Sequence, residues 1–409
     1  MKTALVSGVV FLLPKAGGNG IICYMRVLFF NYEYPPLGGG AANATFCILR
    51  EFSKVPGLEV DLVTSSIDDK VHVENISQNV RIHRLPIGKN AANLHFQSQK
   101  DLLTYSWKAY FYARKLIKKE KYDLTHSFFT VPCGFLSLVF KYQFNLSYII
   151  SLRGSDVPGY SDRFSFIYNF LRPLIVFIWK RGAAVISNSE GLRDLARKSN
   201  AHQEIGVIYN GVDIDHFKPY ESIRRKDKFI ITPGASRITA RKGLKYLVEA
   251  VHKLLPKYPN LFLKIMGEGN EEENLKKLVK DLRLEKQVEF LGRIPRENTV
   301  GYYQEASLFV MPSLNEGMSN AMLEALSCGL PLIATDTGGS TELIEEGKNG
   351  FIVQMENSQS VAEKIELFLK DENLRTDMSA ASRKRAEELS WENVAKQYAE
   401  LYRGIIRNL

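Results

Sequence analysis

The sequence predicts an α/β protein built from two doubly wound domains. Short apolar runs of strand length alternate with longer amphipathic stretches, which is the pattern of parallel sheets covered by helices on both faces. The pattern runs to about residue 188 and then restarts at Phe229. The 409 residues, 45% hydrophobic and 24% charged, are enough for two cores of ordinary size without metals or crosslinks.

Strands are expected at 27–31, 60–64, 81–85, 124–126, Ser147–Leu152 and 184–188 in the first half. In the second half they are expected at 229–233, 261–266, 288–291, 308–312 and Leu332–Thr335, separated by helices such as 245–257 and 271–282. The turn Asn210-Gly211 and the apolar-poor stretch 220–228 place a linker at 210–228, between domains at 25–209 and 229–385. The stretch 374–409 reads as helical, with Trp391, Val394, Tyr398, Leu401 and Ile405 spaced for one buried face. Its last part, 386–409, is expected to form a separate C-terminal helix.

Residues 1–24 imitate a secretion signal, but Pro14-Lys15 interrupts the apolar run and no small-x-small cleavage site follows. Met25 stands directly before the first strand, so 1–24 reads as a disordered extension or a mis-assigned start. No run of 18 apolar residues would span a membrane, and the four scattered cysteines suggest neither a zinc site nor a disulfide framework. A cytoplasmic protein is expected.

Charge is unevenly divided. Residues 1–209 hold 25 Lys+Arg against 15 Asp+Glu, and 210–409 hold 29 against 30. The basic half suits an anionic membrane, a phosphate-bearing substrate or nucleic acid, or is simply a solvated lysine-rich surface. Nucleic acid is set aside because base-stacking motifs and a recognisable nucleic-acid module are absent. The stretch 160–181 interleaves aromatic and aliphatic residues with Arg163, Arg172, Lys180 and Arg181, so it reads either as a basic amphipathic helix on a membrane or as a core helix kinked at Pro173.

Chemistry concentrates between Pro312 and Gly329. A strand ending at Met311 leads through Gly317, which permits a tight turn, to a helix that Ser319 or Asn320 can cap. Free backbone N–H groups at the end of a parallel strand form an anion site. Glu316 and Glu324 flank it, poorly placed to bind phosphate but suited to accept hydrogen bonds from sugar hydroxyls. A capped surface helix with incidental acids has the same pattern. Arg237 and Lys242, five residues apart before a helix, can both approach a diphosphate. Glycines 38–40 after the first strand let backbone approach a ligand or form a flexible turn. His126, and Arg153 with Asp156, lie at or after strand ends, in functional or structural roles.

Glu316-x7-Glu324 with Gly317 after the first acid, followed by Gly329-Leu-Pro331 and Thr337-Gly-Gly339-x-x-Glu342, strongly resembles the retaining glycosyltransferases of family 4. Supporting stretches are Pro36-Leu-Gly38-Gly39-Gly40, Ser187-Asn-Ser-Glu-Gly191, Asn210-Gly-Val-Asp213-x-x-x-Phe217, Arg237-x4-Lys242-Gly243, Met266-Gly-Glu-Gly269 and Phe290-Leu-Gly-Arg293. The resemblance implies the GT-B fold: two Rossmann-like domains facing across a cleft, with the C-terminal helix returning to the N-terminal, acceptor-binding domain. It implies transfer of a sugar from a nucleoside-diphosphate sugar, UDP- or GDP-linked, to a sugar or lipid-linked acceptor, in polysaccharide or glycolipid assembly.

In that frame Glu324 takes the ribose, Glu316 with Gly317, Met318, Ser319 and Asn320 holds the donor sugar, and Arg237 with Lys242 holds the diphosphate. Gly267, Arg293 and Ile294 border the nucleotide, and Gly39 and Gly40 approach the donor phosphate. The catalytic set is Glu316, Arg237 and Lys242, with no metal and no cofactor. Asp213-x-Asp215, a superficial metal motif, is given a structural place in the linker. His126, Arg153 and Asp156 are expected on the acceptor or sugar side, although many relatives have histidine where Arg153 stands, and arginine cannot act as a base. Peripheral contact with the inner face of an anionic membrane is expected. A sugar-nucleotide epimerase on the same fold is the competing enzyme class.

Overall fold

In the computed structural model the described residues are 24–89, 94, 97–160, 165–223, 227–234, 237–315 and 318–408, excluding the side chains of 165–169 and 221. Glu316 and Gly317 therefore lie outside the described residues, as do most of the 1–24 extension and Arg163. The chain divides into two compact units. One comprises the residues up to Asn210 together with Trp391–Leu409, and the other Gly211–Ser390. Residues 211–228, expected as a linker, group with the second unit.

The first unit runs β1 (Met25–Phe30), α1 (Gly40–Phe52), β2 (Leu58–Ser66), β3 (His72–Asn75), β4 (Val80–Pro86), α2 (Gln99–Lys119), β5 (Leu124–Phe128), α3 (Phe135–Phe144), β6 (Ser147–Leu152), α4 (Ser165–Arg181), β7 (Ala184–Ser187), α5 (Glu190–Arg197) and β8 (Gly206–Val207). Its sheet order is β3-β4-β2-β1-β5-β6-β7-β8, parallel except for β3 against β4. Strands β1, β5 and β6 are buried almost throughout because helices cover both faces. Sequence periodicity misses β3, whose residues are all exposed, and β8, which has two residues.

The second unit runs β9 (Phe229–Thr232), α6 (Leu244–Leu254), β10 (Leu261–Ile265), α7 (Glu272–Asp281), β11 (Val288–Phe290), α8 (Thr299–Glu305), β12 (Leu308–Met311), α9 (Asn320–Ser327), β13 (Leu332–Thr335), β14 (Gly350–Val353), α10 (Ser358–Lys370) and α11 (Glu372–Glu388). All six strands are parallel, in the order β11-β10-β9-β12-β13-β14.

The C-terminal segment is two helices. The second, α12 (Trp391–Arg407), buries Trp391, Val394, Tyr398 and Tyr402 in the core of the first unit, with the Tyr402 ring 5.8 Å from Phe52 of α1. The 3.6-residue spacing of these side chains required a partner, and the first unit supplies it.

Helix α4 packs its inner side into the first unit. Ile175, Ile178 and Trp179 are fully buried, and Trp179 Nε1 donates to Thr130 Oγ1 at 2.8 Å. It is a core helix on its inner side. No helix among the described residues is long and apolar enough to cross a membrane. Cys47, Cys133 and Cys328 are buried.

A buried ion cluster sits on the first sheet with no signature at short spacing. The Asp61 carboxylate accepts from Arg81 Nε (2.6 Å) and Nη2 (2.7 Å), from Tyr122 Oη (2.8 Å), and lies 2.8 Å from His83 Nε2. Burial alone would push its pKa up, but the bonds from His83, Arg81 and Tyr122 outweigh burial and hold it well below the ordinary 3.8. The folded value is depressed, so this stabilisation is present above the unfolded value and is lost as pH falls through the folded one. Asp61→Asn removes the buried carboxylate that Arg81, His83 and Tyr122 face, while the half-buried Arg81 keeps Glu120 at 2.7 Å, and is expected to destabilise by about 1–3 kcal/mol at neutral pH. Urea unfolding across pH should show the gap from wild type closing as the solution becomes more acidic than about pH 4.

Candidate active site

The winding of the second sheet reverses between β9 and β12, which are neighbours although β10 and β11 come between them in sequence. In an open parallel sheet the loops leaving two such strands part to opposite faces and leave a crevice at the strand carboxyl ends. The loop after β9 carries Arg237 and Lys242, and the loop after β12 leads to Met318, Ser319 and Asn320.

Backbone contacts hold these loops together. Leu314 N–H donates to the Arg241 carbonyl at 2.7 Å, joining the basic loop to the segment after β12. Gly243 has φ +62, and a Cβ built on it would lie 2.0 Å from the Pro312 carbonyl oxygen, so only glycine lets the two loops approach this closely. Ile238 N–H donates to the Glu268 carbonyl (2.9 Å), and Gly267 N–H to the Gly292 carbonyl (2.7 Å). The loops after β9, β10 and β11 therefore form one connected edge bearing Arg237, Lys242, Gly267, Arg293 and Ile294. Arg237 and Arg293 are exposed, Lys242 and Ile294 half-buried.

Ser319 occupies the N-cap of α9, but its hydroxyl does not cap the helix and lies 3.7 Å from Met311 Sδ instead. Glu324, in the second turn of α9, is buried. Arg296 reaches Oε1 through Nε (3.1 Å) and Nη2 (3.0 Å), and Tyr303 Oη donates to Oε2 at 3.1 Å. Burial raises the Glu324 pKa, while Arg296 and Tyr303 pull it the other way. Arg296 and Tyr303 had no sequence signal, because Tyr303 meets Glu324 only through the packing of α8 against α9, and Arg296 reaches it from the turn just before α8.

Asp213 behaves as a turn residue: its Oδ1 accepts the His216 N–H at 3.1 Å, and its carbonyl accepts the Phe217 N–H at 2.9 Å. Among the described residues no three His, Cys, Asp or Glu side chains converge as metal ligands would.

The first sheet also reverses its winding, between β1 and β5, and Gly39 and Gly40 begin α1 at the carboxyl end of β1. The sequence reading overlooked Glu33 in this loop. Its Oε2 lies 3.4 Å from the Gly39 amide, and burial pushes its carboxyl up to about 7 against the pull of Gly39 and Lys89.

Two expectations for this edge are corrected. His126 does not end its strand but lies fully buried inside β5, with Nδ1 2.6 Å from Tyr402 Oη and Nε2 2.8 Å from Ser151 Oγ, stacked on Phe29. Burial, reinforced by Arg153, drives its pKa well down, so it is a neutral packing residue. Asp156 is also buried, and accepts from the backbone N–H groups of Thr130, Arg153 and Gly154 and from Thr130 Oγ1. It joins the loop after β6 to the turn after β5. Arg153 lies over the Phe128 ring at 3.5 Å and donates to Asn210 Oδ1 (2.9 Å) and Tyr398 Oη (3.3 Å). Its Nε is buried with no acceptor among the described residues.

Comparison with known proteins decides the family. The model of the glycosyl transferases group 1 matches residues 213–385, and that of glycosyltransferase family 4 matches 38–216. The chain belongs to the family 4, group 1 glycosyltransferases. An uncharacterized glycosyltransferase of Methanocaldococcus jannaschii is 24% identical over 92% of this chain and 99% of that protein. The fold is that of sucrose-phosphate synthase from Thermosynechococcus elongatus (TM-score 0.79, 22% identity, 94% of this chain and 100% of that one). It is also that of HepE from Anabaena in complex with UDP (TM-score 0.70, 20% identity, 93% and 100%). The fold is thus GT-B, and the protein is a glycosyltransferase enzyme.

In this glycosyltransferase Gly243→Ala combines a left-handed φ with a backbone collision. The expected stability loss is at least about 1 kcal/mol, read as a lower urea midpoint. Gly301→Ala in α8, where a Cβ meets nothing within 4 Å, is expected to be neutral or stabilising.

Proposed function

We propose that this enzyme moves a sugar from a nucleoside-diphosphate sugar to an acceptor hydroxyl with retention of the anomeric configuration, and that the donor sits on the second unit. The observation that carries this reading is the connected loop edge. Arg237 and Lys242 are tied through the Arg241–Leu314 bond to the segment leading into α9, which also carries Glu324. A basic pair beside a helix amino terminus suits a diphosphate, and a buried carboxylate one helix turn further on suits the ribose hydroxyls. The UDP held by HepE supports a nucleoside-diphosphate donor.

Arg237 and Lys242 then stabilise charge on the departing diphosphate as the sugar–phosphate bond breaks, without a metal being required. The backbone of Met318–Asn320, with Glu316 as the family motif assigns it, holds the sugar. The leaving phosphate takes the acceptor proton on the same face. The acceptor is a sugar or a lipid-linked sugar, in polysaccharide or glycolipid assembly, with the protein working in the cytoplasm in peripheral contact with an anionic membrane.

Thermal-shift titration with UDP-, GDP- and ADP-sugars should give a raised unfolding temperature for one of them. With that donor limiting, Lys242→Ala and Glu324→Ala are each expected to lower kcat/KM by about 100-fold or more. Near-wild-type transfer by either variant would remove the proposed donor site. Donor conversion without any acceptor would indicate an epimerase, and a product of inverted configuration would rule out retention.

A further inference from the structure

Exposed aromatic and basic residues also meet on a helix other than the one that the aromatic sequence pattern singles out. Helix α2 places Tyr105, Ala109 and Ala113 on the first sheet, with Tyr105 Oη donating to the Val63 carbonyl at 2.9 Å. The opposite side presents Leu103, Trp107 and Phe111, which are 71%, 69% and 42% exposed. Spaced four apart, they form one outward ridge. The Trp107 and Phe111 rings meet edge to face with centroids 4.8 Å apart.

The same ridge continues through Lys100 at one end and Arg114 and Lys118 at the other, a length of about 27 Å at 1.5 Å per residue. Lys108 and Lys115 flank it. The helix carries six Lys and Arg against one acid, Asp101, and that acid is turned to the helix start, where it accepts the Ser98 N–H at 2.9 Å and pairs with Lys89. An apolar ridge set among cations and lacking outward acids complements a surface that is anionic at its headgroups and apolar beneath. A protein groove would satisfy the three apolar side chains but leave the surrounding positive charge unused.

We infer that the outward face of α2 docks this enzyme flat on an anionic lipid bilayer, with Leu103, Trp107 and Phe111 entering the headgroup boundary and the lysines and arginine pairing with lipid phosphates. This deepens the membrane contact of the proposed function by naming the element that makes it. The test reads binding rather than transfer, so a failure here leaves the donor-site reading standing, and a failure of that site leaves this face intact.

The intact chain is floated with vesicles of phosphatidylcholine alone and of phosphatidylcholine with phosphatidylglycerol. The protein is expected to float only with the anionic vesicles and to be released by roughly 0.5 M NaCl, where charge is screened over a few ångströms. Of the three tryptophans, Trp179 and Trp391 are buried, so brominated lipid should quench Trp107 alone. Trp107→Ser/Phe111→Ser and Arg114→Glu/Lys118→Glu are each expected to weaken partitioning by about tenfold or more. Both pairs are on the surface, and an unchanged unfolding midpoint would show that the fold survives.

Phe170 on α4 is 84% exposed and supplies the control. Loss of binding with Phe170→Ser but not with the α2 variants would overturn the assignment. So would absence of binding to anionic vesicles, or sedimentation showing that Trp107 and Phe111 instead join two copies of the chain.

Discussion

The reversal of strand order between β9 and β12 is the constraint on which the loop edge of the second unit depends. It forces two loops distant in sequence to leave adjacent strands at the same end of the sheet, and it keeps helices from filling the space between them. Gly243 then sets how close the loops come, because its missing side chain admits the Pro312 carbonyl. The exposed cations of one loop and the uncapped start of α9 in the other become parts of one surface.

Asp61, Glu324 and Arg153 are accommodated in three different ways. Asp61 is surrounded by donors and stays ionised. Glu324 is buried, which raises its pKa, and Arg296 and Tyr303 beside it pull the other way. Arg153 rests on an aromatic face and on neutral oxygens from Asn210 and Tyr398. Burial lowers its pKa only from a very high starting value, so the cation persists. Tyr398 and Tyr402 also engage Ser151 and His126, so α12 completes the polar interior of the first unit as well as its apolar core.

The strands and amphipathic helices of this chain were legible because alternation of apolar runs with 3.6-period stripes is a local property. Short or exposed strands such as β3 and β8 escaped because they bury too little to leave a pattern. Arg237 and Lys242 stand on the loop after β9, which backbone hydrogen bonding joins to the segment that leads to Met318–Asn320. His126 and Asp156 are enclosed, and a polar residue near a strand end looks the same in sequence whether its side chain is solvated or buried. The aromatic content of α4 was equally ambiguous: Trp179 proves buried and Phe170 exposed, while the less conspicuous ridge of α2 faces solvent.

By itself the sequence determined the α/β class, the two sheets and the placing of glycines and cations at strand carboxyl ends, because each follows from the period of side chains along a few turns of chain. Tertiary structure decided which charges are buried, which partners they meet and which aromatic face remains uncovered. Glu33, Arg296 and Tyr303 acquire their importance only there, since burial and pairing are set by residues tens of positions away that no local spacing records.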